Sequence, residues 1–178
     1  MSGDIQHSRR ALIANVGRTA ALGIISGCVG NKGGGGSETK TDVCGVDPPS
    51  EACVDKRIAE QLSDVDNFDR VRDWTGRAEV TIKVGVNNGG QPYGFGPPAV
   101  RVNPETTIIW EWTGEGGPHN VIAETDHKIN SQLTNRPGYT YEYVYDGTMS
   151  KVQIDYYCST HEQEGMRGVI AVDRQSRV

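Results

Sequence analysis

The sequence has fewer positively charged than negatively charged residues, and its length does not call for a second domain. Its 178 residues carry 18 lysine and arginine side chains against 23 aspartate and glutamate side chains, which gives a net charge of −5. Residues 1–27 contain three arginines and one aspartate, so the rest of the chain carries −7. This acidic balance argues against nucleic acid as a partner. The length accommodates one ordinary domain with appendages.

The N-terminus also lacks an apolar run long enough to cross a membrane. Arg9 and Arg10 form a twin-arginine pattern, and the apolar stretch that follows to Ile25 falls short of the roughly 20 residues that a spanning helix needs. Ile-Ser-Gly-Cys, ending at Cys28, is similar to a lipobox. We therefore expect residues 1–28 to be a twin-arginine signal peptide with a lipobox, and Cys28 to become a lipid anchor on the outer face of the cell membrane. Simple secretion and an uncleaved span are the alternatives.

Two segments are predicted to lack structure of their own. Residues 29–43 include four consecutive glycines and few apolar side chains, so they cannot offset the entropy cost of ordering and should form a flexible tether. Residues 174–178 form a short C-terminal tail.

The region between the tether and the main domain contains a cysteine pair. Cys44 and Cys53 can form a disulfide in an oxidising compartment. A second metal site is the alternative, but no histidine or further cysteine lies near them in the sequence. Ser50 can cap a helix over residues 51–62, because the prolines before it prevent an earlier start. We expect residues 44–76 to form a short helical appendage.

From residue 77 the apolar pattern takes a period of two, which is typical of strands with one face on a core. Residues 87–98 are read as a glycine- and proline-rich connection. Further strands are predicted at 99–102, 106–112, 119–124, 139–145, 152–158 and 167–172. Many short strands separated by turn residues indicate an all-β Greek-key sandwich over residues 77–173.

The sequence places three potential metal ligands in one loop near the C-terminus. Cys158 offers a thiolate, His161 an imidazole and Met166 a thioether, and His119 follows a strongly β-like run upstream. Two imidazoles, one thiolate and a weak thioether form the soft, trigonal set that suits copper changing between Cu⁺ and Cu²⁺. Zinc is the main competitor, although structural zinc sites rarely use a thioether. Taken one by one, each residue could simply fill the core.

The alternation along the strand before the loop supports a buried sulfur. Ile154, Tyr156 and Cys158 share one parity, so the cysteine should point inward with the apolar residues. His127 lies in a polar segment and is read as a surface residue.

Two segments carry a resemblance to a known family. Tyr-Tyr-Cys-Ser-Thr-His-Glu-Gln-Glu-Gly-Met-Arg-Gly, which begins at Tyr156, resembles the ligand loop of plastocyanins, and residues 96–121 resemble halocyanins of haloarchaea. The resemblance implies a cupredoxin-like fold that binds one copper ion as a type 1 (blue) site. Thr160 stands where such loops commonly carry proline. The resemblance also implies a hydrogen bond between Asn120 and Ser159, and an electron port at His161.

These observations predict a blue copper electron carrier and not an enzyme, because four protein ligands leave no open coordination position. It would shuttle single electrons between respiratory-chain components, as a monomer outside the cytoplasmic membrane, with one redox protein as donor and another as acceptor. The alternatives are a protein that delivers or buffers copper and an interaction domain with a vestigial site.

Overall fold

The fold is built from one helix followed by strands. The computed structural model describes residues 49–123, 126–146 and 153–173. Arg9, Arg10, Cys28, Cys44, the tether and the C-terminal tail lie outside the described residues. Within them the elements are α1 (Glu51–Gln61), β1 (Arg72–Asp73), β2 (Glu79–Asn88), β3 (Gln91–Gly96), β4 (Ala99–Val102), β5 (Thr107–Trp112), β6 (Thr140–Val144), β7 (Gln153–Tyr157) and β8 (Arg167–Val172).

The strands form two four-stranded sheets. Strand order is β1-β4-β8-β7 in the first sheet and β3-β2-β5-β6 in the second. The pairs β1–β4, β4–β8 and β2–β5 are parallel, whereas β2–β3, β5–β6 and β7–β8 are antiparallel. The predicted β-sandwich with a short helical appendage is confirmed.

A single apolar core fills the space between the sheets. Side chains of period two point into it from both sides, as the sequence pattern predicts. The largest fully buried members are Trp110, Trp112, Tyr145, Tyr156 and Phe95.

A second, smaller core joins α1 to the outer face of the first sheet. Val54, Ile58 and Leu62 of the helix region pack on Ala99 and Val169 of the sheet. The central strands of this sheet are therefore covered on both faces. No helix in the described ranges has the length and apolar character needed to cross a membrane.

Polar contacts fix the helix in this position. Ser50 caps it, with its hydroxyl accepting from the Cys53 N–H at 3.3 Å. Arg101 of β4 is only 7% exposed and bonds Asp55 at 2.6 Å and Glu51 at 3.3 Å. A guanidinium buried to this degree needs such partners, since an unpaired buried charge is costly.

Two strand predictions are wrong. Residues 87–98, read as a connection, contain β3, which pairs with β2 across a tight turn at Gly89 and Gly90. Residues 119–124, read as a strand, make isolated bridges in the described part: His119 with Thr134, and Ile122 with Asn130 and Tyr157. This segment pairs with different partners on its two sides, so no continuous ladder forms.

The small core gives a direct test of the appendage. Ile58 is fully buried, so Ile58→Ala should destabilise the protein by about 2–5 kcal/mol, as large-to-small core substitutions do. Lys56→Ala is the matched control on the exposed face of the same helix, where an ion pair to Glu60 contributes little. Urea unfolding measures both. Equal midpoints for Ile58→Ala and the parent protein would contradict the packing.

Candidate metal centre

Two loops at one end of the sandwich carry the ligands predicted from the sequence. His119 lies in the loop that leaves β5, and Cys158 follows β7 directly. Ile122 and Tyr157 exchange backbone hydrogen bonds of 3.0 and 2.9 Å, so the two loops are attached to each other beside the site.

Three donor atoms converge in this region. His119 Nδ1 and His161 Nδ1 are 3.1 Å apart, and Cys158 Sγ lies 3.8 Å from the first and 3.7 Å from the second. The point equidistant from these three atoms is about 2.1 Å from each, a length close to metal bonds with imidazole nitrogen and with thiolate sulfur. The triangle therefore has the size and the soft donor set of a site for copper or zinc.

His119 is held in the tautomer that a metal requires. Its Nε2 lies 2.9 Å from the Glu115 carbonyl, to which it can donate, and this leaves the Nδ1 lone pair facing Cys158. Burial lowers the pKa of His119, and the bond to the Glu115 carbonyl partly offsets this effect. The neutral, ligating form is favoured. A Cβ at Gly116 would come within 2.7 Å of Nε2, so only glycine leaves room for this ring.

Cys158 is fully buried but its environment favours the thiolate. Burial alone would raise its pKa, yet the Thr160 hydroxyl, the backbone N–H groups of Asn120 and Thr160, and the His161 ring together lower it below the usual value. Hydrogen bonds to the charged form outweigh the cost of desolvation here. The sulfur is thus prepared as a metal ligand.

Thr160 contributes contacts that proline at this position could not make. Its hydroxyl lies 3.2 Å from Cys158 Sγ, 3.1 Å from the Pro118 carbonyl and 3.0 Å from His161 Nδ1. Its backbone N–H is a further donor to the sulfur, and proline has no N–H. The departure from the plastocyanin pattern therefore adds hydrogen bonding around the sulfur.

Met166 lies at the end of the ligand loop and is fully buried. Its carbonyl accepts from the Cys158 N–H at 3.1 Å, and its N–H donates to the His161 carbonyl at 3.0 Å. The loop is therefore closed on itself, and the Met166 backbone is bonded to both Cys158 and His161.

Asn120 joins the two loops behind the sulfur. Its Oδ1 accepts from the Ser159 N–H at 2.9 Å and from the Ser159 hydroxyl at 3.1 Å. These bonds fix the residue that follows Cys158 to the residue that follows His119.

One aromatic contact is missing from the sequence interpretation. Tyr93 of β3 stacks on His161, with ring centroids 4.1 Å apart and planes at 11°. The sequence signal was hidden because Tyr93 lies in the stretch read as a connection. His161 is partly exposed, and one face of its ring is covered by Tyr93. His127 is exposed, as predicted.

Comparisons with known sequences find copper-binding proteins. Copper-binding proteins of the plastocyanin/azurin family match residues 80–173. A halocyanin of Natronomonas pharaonis is 33% identical over 169 residues, which span 93% of this chain and 98% of that protein. A plastocyanin of Scenedesmus fuscus is 29% identical over 105 residues, 53% of this chain and 99% of that protein. A solved plastocyanin of Dryopteris crassirhizoma aligns at 16% identity with a TM-score of 0.41, covering 53% of this chain and 100% of that one.

The bonds between Asn120 and Ser159 give a stability prediction. Asn120→Ala removes the acceptor of both and should cost about 1–3 kcal/mol, whereas Ser159→Ala removes one and should cost less. Urea unfolding of the two variants compares them. An Asn120→Ala variant no less stable than Ser159→Ala would show that the side-chain acceptor does not hold the loops together.

Proposed function

Since the chain belongs to the plastocyanin/azurin family of copper-binding proteins, we propose that it carries single electrons between redox proteins. Its cofactor is one copper ion, and we assign His119, Cys158, His161 and Met166 as the ligands. The observation that carries the proposal is the triangle of two imidazole nitrogens and one sulfur, with sides of 3.1, 3.7 and 3.8 Å.

The chain's own residues hold the three donor atoms of this triangle. A bound copper ion supplies the one-electron couple between Cu⁺ and Cu²⁺. The lowered pKa of Cys158 and of His119 weakens the competition of protons for the lone pairs of these groups. The Glu115 carbonyl orients the His119 ring, and Asn120 joins the His119 loop to Ser159 beside the sulfur. A site with fixed ligands has little to rearrange when its charge changes, which suits fast electron exchange.

His161 offers the route to the surface. It is partly exposed, whereas His119, Cys158 and Met166 are buried. Glu162 and Glu164 are exposed beside it. We expect a partner with a basic docking face, whose approach is steered by these carboxylates and weakened by salt.

We further propose that the protein works between respiratory-chain components at the outer face of the cytoplasmic membrane, as a monomer. The support is the twin-arginine pair Arg9 and Arg10 and the lipobox that ends at Cys28. Cys53 is buried and disulfide-bonded, which fits an oxidising compartment. We propose Cys44, outside the described residues, as its partner.

An electron carrier accounts for the site without an enzymatic reaction. A catalytic metal keeps a coordination position for substrate, whereas the proposed set already offers four protein donors. The three donors of the triangle are buried or covered: Cys158 and His119 lie inside, and Tyr93 stacks on His161. We therefore propose that the protein is not an enzyme.

The visible spectrum tests the proposal most directly. Copper(II) loading should produce an intense absorption from charge transfer between the Cys158 thiolate and the ion, together with a reversible one-electron couple. Cys158→Ser should lose the absorption but keep the far-UV circular dichroism of the sandwich. Weak absorption in the parent protein, with copper that a chelator removes readily, would favour copper delivery or buffering instead.

Thr160 should tune the reduction potential. We expect the Thr160 hydroxyl to give its one proton to the thiolate, 3.2 Å away, and not to the Pro118 carbonyl. A hydrogen bond to the sulfur reduces the electron density that it gives to oxidised copper, so losing it should stabilise Cu²⁺. Thr160→Val should lower the potential by about 20–60 mV, a fraction of what one charge-assisted hydrogen bond can contribute. Thr160→Ser keeps the hydroxyl and is the control. Cyclic voltammetry measures both, and a potential in Thr160→Val that is not lowered would show that the hydroxyl proton points to the Pro118 carbonyl instead.

A further inference from the structure

The segment between α1 and β1 lies against the ligand loop, although it precedes the sandwich. We propose that residues 64–67, here called the strap, position the Met166 end of the ligand loop, with Asn88 as the link between them. The inference deepens the proposed function and rests on it, because Met166 is taken as the axial copper ligand.

Asn88 connects the strap to the loop through a single side chain. It is the last residue of β2 and is 5% exposed. Its Oδ1 accepts from the Asn67 N–H at 3.1 Å, and its Nδ2 donates to the Glu164 carbonyl at 3.2 Å and lies 3.4 Å from the Gly165 carbonyl. An amide has an acceptor on one side and donors on the other, so it can satisfy both segments at once.

The strap also touches the loop directly, on both sides of Met166. The Asp64 carboxylate pairs with the Arg167 guanidinium. Gly165 has a φ of +81°, and a Cβ there would come within 2.9 Å of the Asp64 carbonyl oxygen. The two chain neighbours of Met166 are therefore each in contact with the same strap residue.

The strap is itself anchored to the core of the sandwich. The Asn67 side-chain amide donates to the Phe95 carbonyl at 2.8 Å, and Phe95 is fully buried. On the other side, Val65 is buried in the small core under α1. The strap is thus a fixed support.

This arrangement matters most for the axial ligand. An axial thioether bonds copper weakly and at long range, so the bond cannot set its own length and the scaffold must do so. The other three donors have supports outside the strap as well. The Glu115 carbonyl bonds His119, Asn120 bonds Ser159 beside Cys158, and Tyr93 stacks on His161. Loosening the strap should therefore change the approach of Met166 more than it changes the triangle.

The test compares two strap variants with a matched control in the copper-loaded protein. Asp64→Ala removes the pair with Arg167, and Asn88→Ala removes the link. Asp69→Ala removes an ion pair with Arg72 of similar exposure, 59% for Asp69 against 62% for Asp64, that does not involve the loop. Each protein is measured by electron paramagnetic resonance, visible spectroscopy and voltammetry, after circular dichroism has verified its fold.

Both strap variants should change the equilibrium constant for copper reduction at least threefold, about 28 mV for one electron. They should also alter the relative intensities of the visible bands and the copper hyperfine splitting, which a loss of charge alone would not do. Asp69→Ala should match the parent in all three measurements.

Unchanged spectra in a folded Asp64→Ala variant would overturn the proposal, and so would equal changes in Asp69→Ala. If Asn88→Ala does not fold, Asp64→Ala decides. Failure of the proposed function is a separate result, because it would appear as a missing thiolate absorption in the parent protein.

Discussion

The structure depends on keeping three electron-pair donors in mutual contact. Two imidazole nitrogens and a sulfur lie within 3.8 Å of one another, and lone pairs at these distances repel unless a cation or proton lies between them. The protein disfavours the proton, because the pKa of Cys158 and of His119 is lowered. Bonds from neighbouring residues hold the three donors in these positions. The Glu115 carbonyl, Thr134 and Asn120 supply such bonds, all of them from outside the triangle.

The two-sheet architecture suits this task because it brings distant chain segments to one end of a rigid body. His119 follows β5 of the second sheet, and Cys158 follows β7 of the first. The backbone pair between Ile122 and Tyr157 then joins segments of different sheets next to the ligands. The Trp112 indole N–H, inside the core, donates to the His119 carbonyl at 3.1 Å. Core packing and ligand placement are therefore parts of one hydrogen-bonded framework.

The parts of this framework that could be predicted are those that depend on residues close together in the sequence. The period of two located most strands, Ser50 located the helix start, and the alternation from Ile154 gave Cys158 its inward direction. The long-range parts could not be read in the same way. β3 was missed because its glycine and proline residues interrupt the apolar alternation that marks a strand. Its own residues favour a strand only weakly, and hydrogen bonding to β2 stabilises it in the fold. Because Tyr93 lies in β3, its stacking on His161 was not predicted either.

Residues that act between segments are hidden for a different reason. No sequence pattern marks Asn88. It hydrogen-bonds the strap on one side and the ligand loop on the other, and these segments are far apart in the sequence. The sequence showed Thr160 as a departure from proline. Its contacts with the Cys158 sulfur and the Pro118 carbonyl could be identified only from the structure.

These two residues act on different parts of the site. Thr160 touches the Cys158 sulfur, whereas Asn88 and Asp64 contact the residues next to Met166. Sulfur hydrogen bonding and axial approach are separate controls on a copper potential. In the proposed arrangement, the appendage outside the sandwich takes part in setting the potential through residues 64–67.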